Sequence, residues 1–325
     1  MQIRTLQKDD LPQLAEILRA SRFKRYDYIR ALPKEPQVQY HLSLLEEALQ
    51  DPQQLVLVAS APEPVAFLRS RFLEWDTEVL GFPCVRIEEI FYREAPYEIL
   101  FPALLSLVRE TLSHWREQLS FRFADLRLDS QMLPAHHAAE EAGFRLVEAS
   151  LLHAYVHGQQ EIPAPDPRAV VRFAEPADRE TLLRMTRNLI RYDRFHRDPR
   201  FPPDAGHRIY ERWLDECLRQ QERKIVVLEW EGRIAGFLAG SFNEKFNRFS
   251  PRKVGYYDLI VITPNPRFLK AWDSLVGAAT RMALQAGFEI GEGRTQLHNI
   301  ANMLRLQLFP PAAARPEFTF HLWQN

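Results

Sequence analysis

Cysteine is almost missing from this 325-residue chain. Its two residues, Cys84 and Cys217, exclude a disulfide framework and a four-cysteine zinc site. Glycine is scarce as well: twelve residues, roughly half the usual ~7%. The sole Gly-x-Gly, Gly291-Glu292-Gly293, precedes the strand-like Arg294-Thr295-Gln296-Leu297. A phosphate loop instead follows a strand and opens a helix, so Rossmann and Walker loops are excluded. An excess of one charge is also lacking, since 42 Lys+Arg meet 43 Asp+Glu for a net charge of -1. That balance argues against a nucleic-acid partner or an acidic tail. No apolar run approaches the ~18 residues of a membrane span, and Met1–Asp10 has no signal-peptide core. The expectation is a cytoplasmic protein with no membrane partner.

What is present is an ordinary core composition, 46% hydrophobic and 26% charged, with 23 prolines. The sequence also contains itself twice. Ile3-Arg4, Asp10 and Leu14 recur 168 residues later as Val171-Arg172, Asp178 and Leu182. Leu55-Val56-Leu57-Val58 with Phe67-Leu68 recurs 170 residues later as Ile225-Val226-Val227-Leu228 with Phe237-Leu238. His153-Ala154-Tyr155 falls on His321-Leu322-Trp323, again at 168. Matches in order at nearly one offset indicate two copies of one domain. Pro163, Pro165 and Pro167 mark a semi-rigid linker. The expected division is 1–158 for the first domain, 159–169 for the linker and 170–325 for the second, which carries any active site.

Each copy predicts a short strand, a polar turn, a helix, a second helical region, a hairpin and a long apolar strand. A long helix, a strand, a short helix and a final strand complete it. In the second copy the hairpin turns at Glu231-Gly232-Arg233 and the apolar strand spans 255–262. The fold class is mixed α/β (α+β), each copy a twisted mixed sheet flanked by helices.

Several residues are candidates for chemistry. Asp258, on the apolar strand, offers a general base for an ammonium proton, or a strand-end ion pair. Asn299 either orients a donor or caps the helix that it opens. Arg187, Arg191 and Arg194 recur at helical intervals, forming either a cationic face for a diphosphate or a solvated face balanced by Asp193 and Asp198. Phe195 offers a stacking surface for a base or sugar. His136, His137, Glu140 and Glu141 have helical metal-ligand spacing without an evident third ligand, which favours an exposed polar face and no metal. His298 and His321 read as packing residues on strands.

The element order and the opening Ile-Arg-x-Leu-x-x-x-Asp resemble the GNAT superfamily of N-acetyltransferases. Leu73-Glu74-Trp75-Asp76-Thr77-Glu78-Val79-Leu80-Gly81-Phe82 is similar to a segment of TDP-fucosamine acetyltransferase-like proteins. So are Arg194-Phe195-His196-Arg197-Asp198-Pro199-Arg200-Phe201-Pro202-Pro203, Asp258–Pro264, Thr295–Asn299 and Phe318–Trp323. The resemblance implies acetyl-CoA, or another acyl-CoA, as co-substrate and a small-molecule amine as acceptor, with a nucleotide-linked amino sugar as the family's own. It implies backbone pairing of the pantetheine arm with Leu259, Ile260, Val261 and Ile262. Arg267 and Lys270 would meet the pyrophosphate, and the protein would be a monomer or homodimer. The sequence departs from the family pattern in two places. Asn265-Pro266-Arg267-Phe268 replaces its glycine-rich loop, and Leu306 stands where its acid tyrosine would fall. Those departures open an alternative, a catalytically silent or repurposed pair of this fold acting as a small-molecule binding or interaction module.

Overall fold

The computed structural model describes residues 1–159, 161–162, 164–219, 224–264 and 268–324. In chain order the first part gives β1 (Gln2–Thr5), α1 (Leu11–Ala20), α2 (Lys34–Ala48), β2 (Gln54–Ser60), β3 (Pro64–Phe72) and α3 (Glu74–Leu80). There follow β4 (Cys84–Tyr92), α4 (Tyr97–Leu119), β5 (Phe123–Asp129), α5 (Leu133–Glu141) and β6 (Arg145–Val156). The second part gives β7 (Ala169–Phe173), α6 (Arg179–Leu189), α7 (Arg194–Arg197), α8 (Ala205–Arg219), β8 (Lys224–Trp230) and β9 (Arg233–Phe242). It continues through α9 (Glu244–Asn247), β10 (Val254–Ile262), α10 (Phe268–Gln285), β11 (Ile290–Gln296), α11 (Ile300–Leu308) and β12 (Ala313–Trp323). No described helix is long and apolar enough to cross a membrane.

These elements form two compact units. Unit 1 takes Met1–Ser150 together with Arg315–Asn325, and unit 2 takes Leu151–Ala314. In unit 1 the strand order is β1-β2-β3-β4-β5-β12, with β5 and β12 antiparallel from Asp129↔Glu317 to Phe123↔Trp323. In unit 2 it is β6-β11-β10-β9-β8-β7. Each sheet is therefore completed by the strand that closes the other copy in sequence. Phe320 and Leu322 are buried in the unit 1 core.

Alternation builds both cores, because successive strand side chains take opposite faces. In unit 1, Leu55, Leu57 and Leu68 pack with Leu104 and Leu107 of α4, while Val56, Val58 and Phe67 pack with Leu14 and Ile17 of α1. Truncating Leu104 or Leu107 to Ala would cost about 2–5 kcal/mol. In unit 2, Ile225, Val227 and Phe237 face α6 and α8, while Val226, Leu228 and Leu238 face α10.

The repeated Arg and Asp make the same ion pair in each unit. Arg4 donates to both oxygens of Asp10 (2.6 and 2.5 Å), and Arg172 to both of Asp178 (2.7 and 2.9 Å). Each carboxylate also accepts a backbone N–H, from Gln7 or Glu175 at 2.8 Å, which fixes the turn into the helix. The hairpin of unit 2 turns where expected, with Glu231 and Gly232 at φ 51° and 76°, the positive pair that a tight hairpin needs.

Candidate functional site

In unit 2, β10 and β11 run parallel and paired only from Val254↔Ile290 to Tyr257↔Gly293. At the next residue β10 bulges. Tyr257 pairs with Gly240 of β9 and Leu259 with Ala239, so the register shifts across Asp258. A bulge bends its strand and adds twist. Beyond it the two strands part, and a cavity of about 490 Å³ opens between Asp258–Ile262 and Gly293–Gln296. The ends of α6 and β6, with α10 and α11, supply the rest of its wall.

The strand residues expected at the site all line this cavity: Asp258, Leu259, Ile260, Val261 and Ile262. Asp258 is exposed at the bulge. Leu259 and Val261 pack on the α6–α8 face, and Ile260 and Ile262 on the α10 face. Asn299 does what its position suggests, capping α11 by accepting from Asn302 N (3.3 Å), and it also lines the cavity. Lys270 is exposed in the first turn of α10, outside the cavity lining. Arg267 lies outside the described residues.

The three arginines do not form one helical face. Helix α6 ends at Leu189, and each arginine meets a different fate. Arg187 makes a bidentate pair with Glu211 on α8 (2.7 and 2.6 Å). Arg191 donates to the carbonyls of Arg187 and Ile190 (2.7 Å each) and alone of the three lines the cavity. Arg194 opens α7 and is buried, its guanidinium 4.5 Å from the Phe195 ring centroid. Phe195 is buried against Phe201. The break is set by Asp193, whose carboxylate caps α7 through Phe195 N (2.9 Å) and binds His196 Nδ1 at 2.5 Å.

The sequence reading missed residues that β6 brings in. His153 and Tyr155 lie two apart at the end of that strand and so share one face, His157 follows just past it, and all three line the cavity. His153 Nε2 lies 3.2 Å from Thr295 Oγ1. Burial lowers His153 and His157 to about 4, so both are neutral near pH 7. The Tyr155 hydroxyl donates to Phe309 O (3.1 Å), and burial raises its phenol to about 12. The Tyr257 hydroxyl lies 3.3 Å from His157 Nε2 and 3.0 Å from Thr280 Oγ1, and burial raises it to about 12 as well. Arg305 on α11 is buried, paired with Asp273 of α10 and laid over the Phe309 ring at 4.8 Å. The only signal for the β6 set was the spacing of His153, Tyr155 and His157.

The Gly-x-Gly now has a physical reason. A Cβ at Gly291 would fall 2.7–2.8 Å from the Tyr257 ring and the His157 imidazole, and one at Gly293 would fall 2.6 Å from His153 Cε1. These glycines let side chains from β6 and β10 cross β11.

Unit 1 repeats the bulge without the opening. Ser70 pairs with Ile87 and Arg69 with Glu89, so the register shifts across Glu88. The ends of β4 and β5 beyond it carry Ile90, Tyr92 and Leu128, buried in one cluster with Met132. Glu89 is held well below the usual carboxylate range by Arg69 and by His41 (2.8 Å), which together overcome its burial. The expected polar face around residue 136 is divided. His136 is buried with Nε2 2.7 Å from Asp129 O, whereas His137 reaches the Tyr97 hydroxyl at 2.8 Å. Among the described residues no three His, Cys, Asp or Glu side chains gather as a metal site. His298 lies in a turn, not on a strand, with Nε2 2.9 Å from Tyr192 O.

No protein-family model and no curated protein matches this sequence. The fold does have counterparts among solved structures. A GCN5-related N-acetyltransferase from Sphaerobacter thermophilus superposes with a TM-score of 0.65 at 13% identity, over 99% of this chain and 95% of that one. A tandem GNAT protein from the clavulanic acid biosynthesis pathway gives 0.57 at 10% identity, over 99% and 98%. A glucosamine N-acetyltransferase region of a fungal multi-domain β-N-acetylglucosaminidase gives 0.55 at 14%, over 99% of this chain and 38% of that one. The chain therefore has the tandem fold of the GCN5-related N-acetyltransferases.

Proposed function

We propose that unit 2 transfers an acyl group from an acyl-CoA thioester to the amine of a small molecule, and that the N-terminal copy does not catalyse. The observation that carries this reading is the open cavity where β10 and β11 part at the Asp258 bulge. Among the described residues, β10 beyond Tyr257 has no partner strand on its cavity side. Its backbone groups are thus placed to pair with an extended, amide-bearing chain, which is what pantetheine presents. In unit 1 the matching strand ends are buried in core.

In this reading Asp258 takes the proton of the acceptor ammonium, directly or through water, so that the free amine attacks the thioester carbon. Positioning supplies much of the rate, since the cavity holds both reactants in one geometry. Asn188, Gln296, Asn299, Asn302, Tyr192 and Tyr210 give the lining phenol and amide groups suited to a hydroxyl-rich acceptor. An amino sugar fits that chemistry, and one structural neighbour is a glucosamine N-acetyltransferase region. With Arg187 on Glu211, Arg194 buried and Arg191 held on the carbonyls of Arg187 and Ile190, a free amino sugar is favoured over a nucleotide-linked one.

The test is binding followed by turnover. CoA should raise the melting temperature by mass action, and acetyl-CoA with glucosamine should release free thiol. If Arg267 and Lys270 meet the pyrophosphate, changing both to Ala removes most of the shift. No shift at millimolar CoA would favour the silent or repurposed pair instead. Calorimetry with free and nucleotide-linked amino sugar then decides the acceptor.

A further inference from the structure

Acyl transfer from a thioester leaves a thiolate, and that sulfur must take a proton. We infer that Tyr257 is the donor of that proton, with His157 and Thr280 holding its hydroxyl in place; the inference rests on the acyl-transfer reading above. Tyr257 is the last residue of β10 paired with β11 before the strands part, and it lines the cavity at the point of divergence. Its hydroxyl is fixed from two sides, by His157 Nε2 at 3.3 Å and Thr280 Oγ1 at 3.0 Å. Gly291 opens the space for this arrangement, because a Cβ there would strike both the Tyr257 ring and the imidazole.

Two other cavity tyrosines suit the role less well. Tyr155 commits its proton to Phe309 O, and Tyr192 is half exposed. Position 306, on the helix that lines the same cavity, is a leucine with no proton to give. The lowered His157 is neutral near pH 7, so its imidazole can donate to a phenolate or accept from a phenol without a change of charge.

The step balances. The C–N bond forms as the C–S bond breaks, and the thiolate takes the phenolic proton of Tyr257. The phenolate is reprotonated through His157 from solvent, which has received the proton lost by the amine. No oxidant or further reactant is needed.

The experiment compares wild type and Tyr257→Phe, as the full chain, with two acyl donors. With acetyl-CoA, kcat should fall roughly 10²-fold, the lower range for loss of a positioned acid, while KM for acetyl-CoA changes little. With an aryl thioester, whose thiolate leaves unprotonated, the deficit should largely disappear. A variant as active as wild type, or one equally impaired with both donors, overturns the inference. If Tyr257→Phe does not fold, fluorotyrosine at 257 keeps the shape and lowers the phenol pKa. It should move the basic limb of the kcat profile to lower pH, and an unmoved limb overturns the inference. Thr280, His157 and Tyr155 face this hydroxyl and are the same in both proteins. A wild type that transfers no acyl group from either donor defeats the underlying reading, a result distinct from an active wild type with an unimpaired variant.

Discussion

The imidazole of His153 occupies the space that a side chain at Gly293 would need, Cε1 standing 2.6 Å from where a Cβ would be. The ring is held by Thr295 Oγ1 at 3.2 Å, so it cannot retreat without losing that contact. Gly293→Ala should therefore lose about 1–3 kcal/mol, the usual cost of overpacking. Urea denaturation measures it. His153→Ala in the same chain should recover part of the loss, since the two sites couple through contact. Strict additivity would show that the clash is relieved elsewhere.

Acid should weaken the protein through His153 and His157. Both are lowered to about 4 by burial, whereas an unfolded histidine titrates near 6.5. Between those values the unfolded chain binds more protons, so stability is fully present above about pH 6.5 and declines as pH falls towards 4. Each group contributes a loss on the order of a few kcal/mol. Replacing His157 by Gln should flatten the slope of denaturation free energy against pH in that window. An unchanged slope would mean that the imidazole is solvated in the folded state.

Asp258 and Glu88 provide a paired control. Each stands at the register shift of its unit's bulge, but only Asp258 lines the open cavity. Asp258→Asn should cut kcat roughly 10²-fold with little change in melting temperature, because the carboxylate is exposed. Glu88→Gln should leave transfer unchanged. Equal losses from both would contradict the assignment of catalysis to unit 2.

The repeated ion pairs should report on the two units separately. Asp10 and Asp178 are both lowered, first by hydrogen bonds from Arg4 and Arg172. Their stabilisation is present above the unfolded carboxylate range near 3.9 and is lost as pH falls through the lower folded values. Asp10→Asn and Asp178→Asn should each cost about 1–3 kcal/mol, the scale of charged hydrogen bonds. Hydrogen exchange should place the first loss in unit 1 and the second in unit 2.

Much of this was legible in the chain itself, for local reasons. Glu231-Gly232 between two apolar runs fixed the hairpin, and the run Leu259-Ile260-Val261-Ile262 marked an apolar strand. Arg4–Asp10 and Arg172–Asp178 repeated because both units need the same pair. The arginine spacing at 187, 191 and 194 misled because periodicity carries no record of where a helix stops. Asp193 starts a new turn, and Arg191 binds the carbonyls that α6 leaves open. The β6 contribution was hidden for a deeper reason. Which sheet a terminal strand joins depends on partners far away in sequence, and local pattern does not encode that choice.

That choice has a consequence in time. Residues 315–323 complete the sheet of unit 1, yet they are synthesised after every residue of unit 2. While the chain grows from the ribosome, β5 waits with an open edge and the core lacks Phe320 and Leu322. Domains usually finish in the order in which they are made, but here the unit begun first is the one completed last.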